Sequence, residues 1–405
     1  MSKESFFKKM EDLGIALTFD DVRLRTGFSK VMPDNVNLTS KFSRNITLKI
    51  PIVSAAMDTV TEHKMAIELA KLGGIGIIHK NLSPEEQAKE VTRVKYHLNC
   101  LIEKPICVLE DEKIVDILKR REEKGYGFTT FPVLNSKEKL VGILTQNDFD
   151  FCLDENLPAK KVMTKEVITA PKYTTLDEAY RIMIKEKKKV LPLLTKDEKI
   201  AGMYVFSDVK RTKTGSSSHY NVDKNGQLRV GAAIGVGNDA FTRIEKLVPK
   251  NVDVVVIDTA HGDSKPVIDT LKKIKKHYPD LDVVVGNISE PGSAKRLIEA
   301  GADGIKVGQG SGSICTTRII AGIGCPQVTA LYNCSKVADK YDIPVCADGG
   351  IRFSGDITIA IGAGAYSIML GSLLAGTKEA PGDIVFWNGR QWKNYRGMGS
   401  LSAME

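Results

Sequence analysis

Val252-Asp253-Val254-Val255-Val256-Ile257-Asp258 and, further on, Val283-Val284-Val285-Gly286-Asn287 are β-branched runs, nearly free of polar alternation, that end on a polar side chain. A strand buried on both faces reads this way, whereas a strand with one wet face alternates. Six more runs of this kind are Ile50 to Ala55, Ile75 to His79, Val230 to Ile234, Ile305 to Gly308, Val345 to Gly349 and Ser367 to Gly371. Helical patterns separate them, so the chain reads as repeated βα units. Eight such units predict an α/β fold, a (β/α)8 TIM barrel.

Between the second and third runs lies far more chain than one helix and its turns require. Within it, Ile114 to Thr145 and Leu176 to Ser207 run in parallel. Each has an apolar-periodic helix, then Phe131-Pro132-Val133-Leu134 or Leu191-Pro192-Leu193-Leu194, then Leu140-Val141-Gly142-Ile143-Leu144 or Ile200-Ala201-Gly202-Met203-Tyr204. This is an internal repeat. It resembles a cystathionine-beta-synthase-type (CBS) pair, an α+β module that the resemblance implies binds purine nucleotides such as ATP or GTP. Each copy ends near an aspartate, Asp148 or Asp208, which either contacts ribose or caps the following helix. The expected division is a barrel of 1–96 and 212–405 with an inserted module at 97–211, joined by linkers at roughly 96–104 and 211–226.

The 405 residues are 42% hydrophobic and 27% charged, the composition of a water-soluble globular chain. No apolar stretch is long enough to cross a bilayer, and Met-Ser-Lys-Glu-Ser-Phe-Phe-Lys-Lys lacks a signal-peptide core, so a cytoplasmic location is expected with no membrane partner. The net charge of +8 is dispersed; its densest cluster, Lys185 to Lys189, reads as a solvated helix end, and small anions are favoured over nucleic acid. Seven cysteines (Cys100, Cys107, Cys152, Cys315, Cys325, Cys334, Cys346) form no Cys-x-x-Cys pair and no zinc pattern.

One cysteine stands apart. Gly308-Gln309-Gly310-Ser311-Gly312-Ser313-Ile314-Cys315-Thr316-Thr317-Arg318 follows the sixth run, where the barrel carries its chemistry. Glycines there permit close backbone approach, and hydroxyls surround the sulfur, so Cys315 is the candidate nucleophile. The carbonyls of Gly310, Gly312 and Cys315 are a candidate cradle for a monovalent cation. Glycines with a serine after the last two runs, Gly349-Gly350 and Gly371-Ser372, match the phosphate site of this fold. Asp348 suits ribose hydroxyls and Asp258 a second ribose or amide. His79 and His261 read as packed rim residues rather than acid-base groups.

Gly312-Ser313-Ile314-Cys315-Thr316-Thr317 resembles the catalytic loop of inosine monophosphate (IMP) dehydrogenases and guanosine monophosphate (GMP) reductases. Leu17 to Val22, Ser54 to Thr61, Gly73 to Lys80, Asp223 to Ala233, Asp258 to Gly262, Ala321 to Gln327, Ala347 to Gly355 and Tyr395 to Ser400 extend the similarity. Gly397-Met398-Gly399-Ser400 favours the dehydrogenase over the reductase. The resemblance implies NAD-dependent oxidation of IMP through a thioimidate on Cys315, with Thr317 near the hydrolytic water. It further implies IMP binding by Ser54, Met57, Asn287, Ser313, Asp348, Gly349, Gly350, Gly371, Ser372, Tyr395, Gly397, Met398 and Gly399. NAD would lie at Asp258, Thr259, Ala260, Gly308 and Gly310, K+ at Gly310, Gly312 and Cys315, in a homotetramer.

Two departures stand out. The family continues beyond the point matching Glu405 with a flap that activates water and a segment that completes the cation site. Gln309 and Ser311 replace the usual Ile and Pro of bacterial members, which predicts a looser cysteine loop. The alternatives are a GMP reductase using NADPH and a catalytically silent nucleotide-binding regulator.

Overall fold

The computed structural model describes residues 2–98, 101–102, 104–124, 126, 128–213 and 218–400. The linker positions 99–100, 103 and 214–217, with Cys100, lie outside the described residues. The chain forms two compact units, Met1–His97 with His219–Glu405, and Leu98–Ser218. The second break falls later than the expected 211/212 because the helix Phe206–Lys213 packs within the second unit.

In the first unit eight parallel strands close a barrel: β1 (Ile52–Ser54), β2 (Ile75–Ile78), β3 (Val230–Ile234), β4 (Val254–Asp258), β5 (Asp282–Ile288), β6 (Gly304–Val307), β7 (Val345–Asp348) and β8 (Ser367–Leu370). Closure is the pairing of β8 with β1, Ile368 opposite Ile52 and Leu370 opposite Ser54. All eight apolar runs are strands, and their side chains are buried on both faces as the absence of alternation requires. Each is followed by a helix: α1 (His63–Lys71), α2 (Pro84–Lys95), α3 (Asn238–Leu247), α4 (Lys265–His277), α5 (Pro291–Glu299), α6 (Gln327–Ala338), α7 (Ser354–Ala363) and the short α8 (Ser372–Ala375).

Val53, Ile75, Ile77, Val254, Val256, Val284 and Met369 fill the barrel. Phe42, from a hairpin between Ser40–Lys41 and Thr47–Leu48, joins this core at the N-terminal end, where its carbonyl would stand 2.8 Å from any Cβ placed on Gly304. Local chemistry sets the helix starts. At α2, Ser83 accepts from the Glu86 N–H at 3.2 Å while Glu86 accepts from the Ser83 N–H at 3.1 Å, with Pro84 in the first turn. At the other end of α2, Lys95 is fully buried, 2.9 Å from Asp223 and 2.7 Å from Asp253. A buried ammonium needs such partners.

The second unit repeats one motif. Phe131–Leu134 pairs antiparallel with Leu140–Leu144, and Val190–Leu194 with Ile200–Val205. The register shifts at the same place in each, between Val133 and Leu134 and between Leu193 and Leu194, and each turn carries a glutamate at positive φ, Glu138 (+61°) and Glu198 (+66°). Each copy also has its own core, Ile114, Ile117, Phe131 and Leu144 in one, Ala179, Met183, Leu191 and Tyr204 in the other. Asp148 caps its helix, accepting from the Thr145 N–H at 2.7 Å and the Thr145 hydroxyl at 2.6 Å. Among the described residues no helix is long and apolar enough to cross a membrane.

Candidate active site

The C-terminal ends of the barrel strands open into a cleft of about 720 Å³. Its floor is electrostatic. Lys306, in the middle of β6, is buried, with its ammonium 2.8 Å from Asp258 Oδ1, 2.7 Å from Asp348 Oδ2 and in contact with Asn287 Oδ1. Burial opposes the charge on Lys306, but the two carboxylates outweigh it and hold the pKa above the ordinary lysine value. Asn287 completes the cluster by donating to Asp348 at 2.9 Å and to the Gly308 carbonyl at 2.7 Å. Asp348 therefore does not cap α7; Asp356 does, accepting from the N–H groups of Arg352 and Phe353.

The cysteine loop lies above this floor. Gly308 has φ +151°, and a Cβ there would stand 1.8 Å from the Asp348 carbonyl, so only glycine lets the chain pass. Cys315 is part-buried and lines the cleft, with Sγ 3.2 Å from the Thr317 hydroxyl. A thiol donates to that oxygen; a thiolate accepts from the hydroxyl. Burial pushes the Cys346 thiol up to about 12 and the Cys107 thiol up to about 11, and raises Cys325 and Cys334 too, so they are held protonated.

Around Cys315 stand Met57 from the β1 loop, the turns Gly349-Gly350 and Gly371-Ser372, and the segment Tyr395 to Ser400. Gly349 and Gly350 take φ of +90° and +82°, with the Phe19 ring packed against Gly350. Tyr395 reaches Gly371 so closely that a Cβ there would meet its hydroxyl at 2.6 Å. Burial raises the Tyr395 pKa, and a hydrogen bond with Ser313 opposes it. Arg396 fixes this segment to the β1 loop by an ion pair with Asp58 at 2.6 Å. Burial works against the Asp58 charge, yet Arg396 and Asn81 hold its pKa below the usual carboxylate value.

On the other side of the cleft are Asp258, Thr259 and Ala260, with Lys80 donating to the Asp258 carbonyl at 2.9 Å. The mixture of carboxylate, ammonium and close-approach glycines fits a dinucleotide. The carbonyls of Gly310, Gly312 and Cys315 belong to one loop and are neutral donors suited to a monovalent ion; that of Gly312 also accepts the Cys315 N–H at 3.0 Å.

Of the residues nominated from sequence, the cleft gathers all but Ser54. Ser54 is fully buried beneath the rim, and its hydroxyl accepts from Thr61 at 2.8 Å, so it faces the protein interior. Val53 points into the barrel core, so the strand's alternation turns Ser54 toward the surrounding helices, while Ala55 to Met57, past the strand end, line the cleft. His79 is buried, 3.7 Å from Glu62, with no hydrogen bond among the described residues, and His261 is exposed beside Gln309. Glu62, His63 and Glu90 stand close together, but Glu90 is engaged by the His63 ring and N–H and by Arg93, which makes it an anchor for α1. Lys306 was not singled out from sequence, although a lysine inside an apolar strand was the available signal.

A model of the IMP dehydrogenase / GMP reductase domain matches residues 16–405. The chain is 50% identical to inosine-5'-monophosphate dehydrogenase of Aquifex aeolicus over 392 residues, covering 96% of this chain and 79% of that protein. It is 47% identical to the Bacillus subtilis enzyme of the same name, covering 96% and 80%. Among solved structures it is similar to a cysteine-to-alanine variant of GMP reductase from Trypanosoma brucei in complex with guanosine 5'-monophosphate, at 38% identity and a TM-score of 0.89, covering 97% and 84%. The same reductase in complex with guanosine 5'-triphosphate gives 40% identity and a TM-score of 0.84, covering 92% and 90%. With a family model matched over residues 16–405 and relatives about half identical across 96% of its length, the chain belongs to the IMP dehydrogenase / GMP reductase family.

Proposed function

We propose that the protein is an NAD-dependent IMP dehydrogenase that oxidises IMP to xanthosine monophosphate, a step toward guanine nucleotides. The carrying observation is Cys315 lining a cleft whose floor holds Asp348 and Asp258 around the Lys306 ammonium. The Cys315 thiolate adds to the electrophilic carbon 2 of the hypoxanthine ring while Thr317 stays within reach of the sulfur. NAD accepts the hydride that carbon 2 then loses. The resulting thioimidate is released by water, which returns the thiol and gives the product. Asp348 orients the ribose hydroxyls, and Gly350, Gly371 and Ser372 receive the 5′-phosphate through backbone N–H groups. Lys306 donates to both carboxylates and so fixes where they point in the cleft.

In this reading Thr259, Ala260, Gly308 and Gly310 bound the dinucleotide, and the Gly310, Gly312 and Cys315 carbonyls take K+. Residues 98–218 are a CBS pair that binds ATP or GTP; the repeat geometry supports it, with Asp148 and Asp208 as the candidate ribose contacts. The assembly is a homotetramer in the cytoplasm. A GMP reductase is the second reading, favoured by the fold match to the trypanosomal enzyme. One assay separates them. IMP with NAD should produce NADH and xanthosine monophosphate, while GMP with NADPH should release no ammonia; the opposite pair of results would replace the dehydrogenase by the reductase.

A further inference from the structure

Gln309 opens the cysteine loop, and its side chain reaches across to the cofactor side of the cleft. Oε1 accepts from the Ser289 hydroxyl at 2.7 Å. Nε2 lies 3.2 Å from the Ala260 carbonyl, 3.4 Å from the Asn287 carbonyl and 3.2 Å from His261 Nδ1. Its own carbonyl accepts from the Cys325 N–H at 3.4 Å, which closes the loop on itself. Ser311, two residues on, reaches the other way, donating to the Asp348 carbonyl at 3.2 Å and packing against Gly349. The loop that carries Cys315 is thus tied at one residue to the Asp258–His261 turn and at another to the Asp348–Gly350 turn. These polar ties replace the looseness expected from the sequence.

We propose that Gln309 is a positioning residue that couples the dinucleotide side of the cleft to the placement of Cys315. The inference rests on the dehydrogenase reading for the identity of the dinucleotide, and on geometry alone for the anchor. Two amide protons serve three acceptors at 3.2 to 3.4 Å, so each bond is weak. A ligand seated on Thr259 and Ala260 can therefore redistribute them and shift the loop, whereas IMP, gripped from the Asp348 side, meets this anchor only through Asn287. Ser311 supplies the comparison on that side.

The test uses Gln309→Leu and Ser311→Ala in the full chain. For Gln309→Leu, KM for NAD should rise and NADH formation should slow by about tenfold, the scale of a small displacement of a reacting group, with KM for IMP unchanged. Ser311→Ala should shift KM for IMP instead. A second measurement needs no turnover: the rate at which iodoacetamide alkylates Cys315, followed by mass spectrometry. In the unsubstituted protein NAD alone should change that rate, and in Gln309→Leu it should not. Equal rates and equal NAD responses in the two proteins overturn the proposal, as does a Gln309→Leu variant whose KM values for IMP and NAD rise together with a fall in melting temperature. If neither protein forms NADH, the dehydrogenase reading fails separately, and the ligand-free alkylation rate still decides the anchor: a changed rate in Gln309→Leu supports it and an unchanged rate refutes it.

Discussion

Lys306 places its ammonium 2.7 Å from the Asp348 carboxylate and, with the same atom, 2.8 Å from Asp258, so one buried cation bridges the two acids on the floor of the cleft. Because its folded pKa is raised, the stability it contributes is complete below the unfolded value of about 10.4 and is lost only as pH climbs through the higher folded value. This group therefore adds no pH dependence near neutrality. Lys306→Met leaves two half-buried carboxylates without a cation and should destabilise the barrel by about 3 kcal/mol, the lower end for breaking a buried pair. The variant should regain stability on acidification, since protonating one carboxylate removes the repulsion. Melting temperatures at about pH 7.5 and about pH 5.5 test the sign; a variant no less stable than the parent at the higher pH contradicts it.

Cys315→Ala should abolish NADH formation while leaving IMP affinity within a few-fold, because the sulfur acts on the ring and not in its binding. Mass spectrometry of the parent protein with IMP and NAD should find the purine bonded at position 315 and nowhere else. Thr317→Val keeps the shape but removes the oxygen 3.2 Å from the sulfur. It should lower kcat by about 10²-fold with little change in KM for IMP, the usual scale for a lost proton-transfer group.

Arg396→Ala frees the segment Tyr395 to Ser400 from the β1 loop by breaking the ion pair with Asp58. The expected result is a rise of about tenfold in KM for IMP, equal to about 1.4 kcal/mol of lost positioning. Asp58 loses its cation in the same variant, so its pKa should rise. Titration of the Asp58 carboxylate by NMR in the two proteins checks this; identical titrations would show that the pair is not formed in solution.

Gly308→Ala should fail to yield active protein, since both its φ of +151° and a Cβ only 1.8 Å from the Asp348 carbonyl forbid a side chain. Gly355→Ala, within α7, meets nothing within 4 Å and should be neutral or raise the melting temperature slightly. Comparing the two by circular dichroism and activity separates a general intolerance of added methyls from the specific clash under the cysteine loop.

If residues 98–218 bind purine nucleotides, ATP or GTP should raise the melting temperature of the full chain, and Asp208→Ala should weaken that response. Asp148 is occupied by its capping bonds to Thr145, so its loss should appear chiefly as helix destabilisation of about 1 kcal/mol. Nucleotide titrations followed by calorimetry give both numbers. Equal losses of affinity would place the two aspartates in the same role.

Sequence alone determined the barrel. Val254 to Ile257 and Val283 to Val285 could only be strands covered on both faces, and the placement of Cys315 after the sixth of them followed from connectivity. What it left open depended on contacts between residues far apart in the chain. Ser54 and Met57 lie on one short stretch, yet the strand turns Ser54 toward the helices and ends before Met57, which lines the cleft. Gln309 read as a loosening substitution until Ser289, Ala260 and Asn287 were found around its amide. Lys306 passed unremarked within a strand, and only the fold brought Asp258 and Asp348 to its ammonium. A hydrophobic pattern is local and repeats along the chain, so a sequence displays it; a charge network is satisfied by partners that only barrel closure makes neighbours.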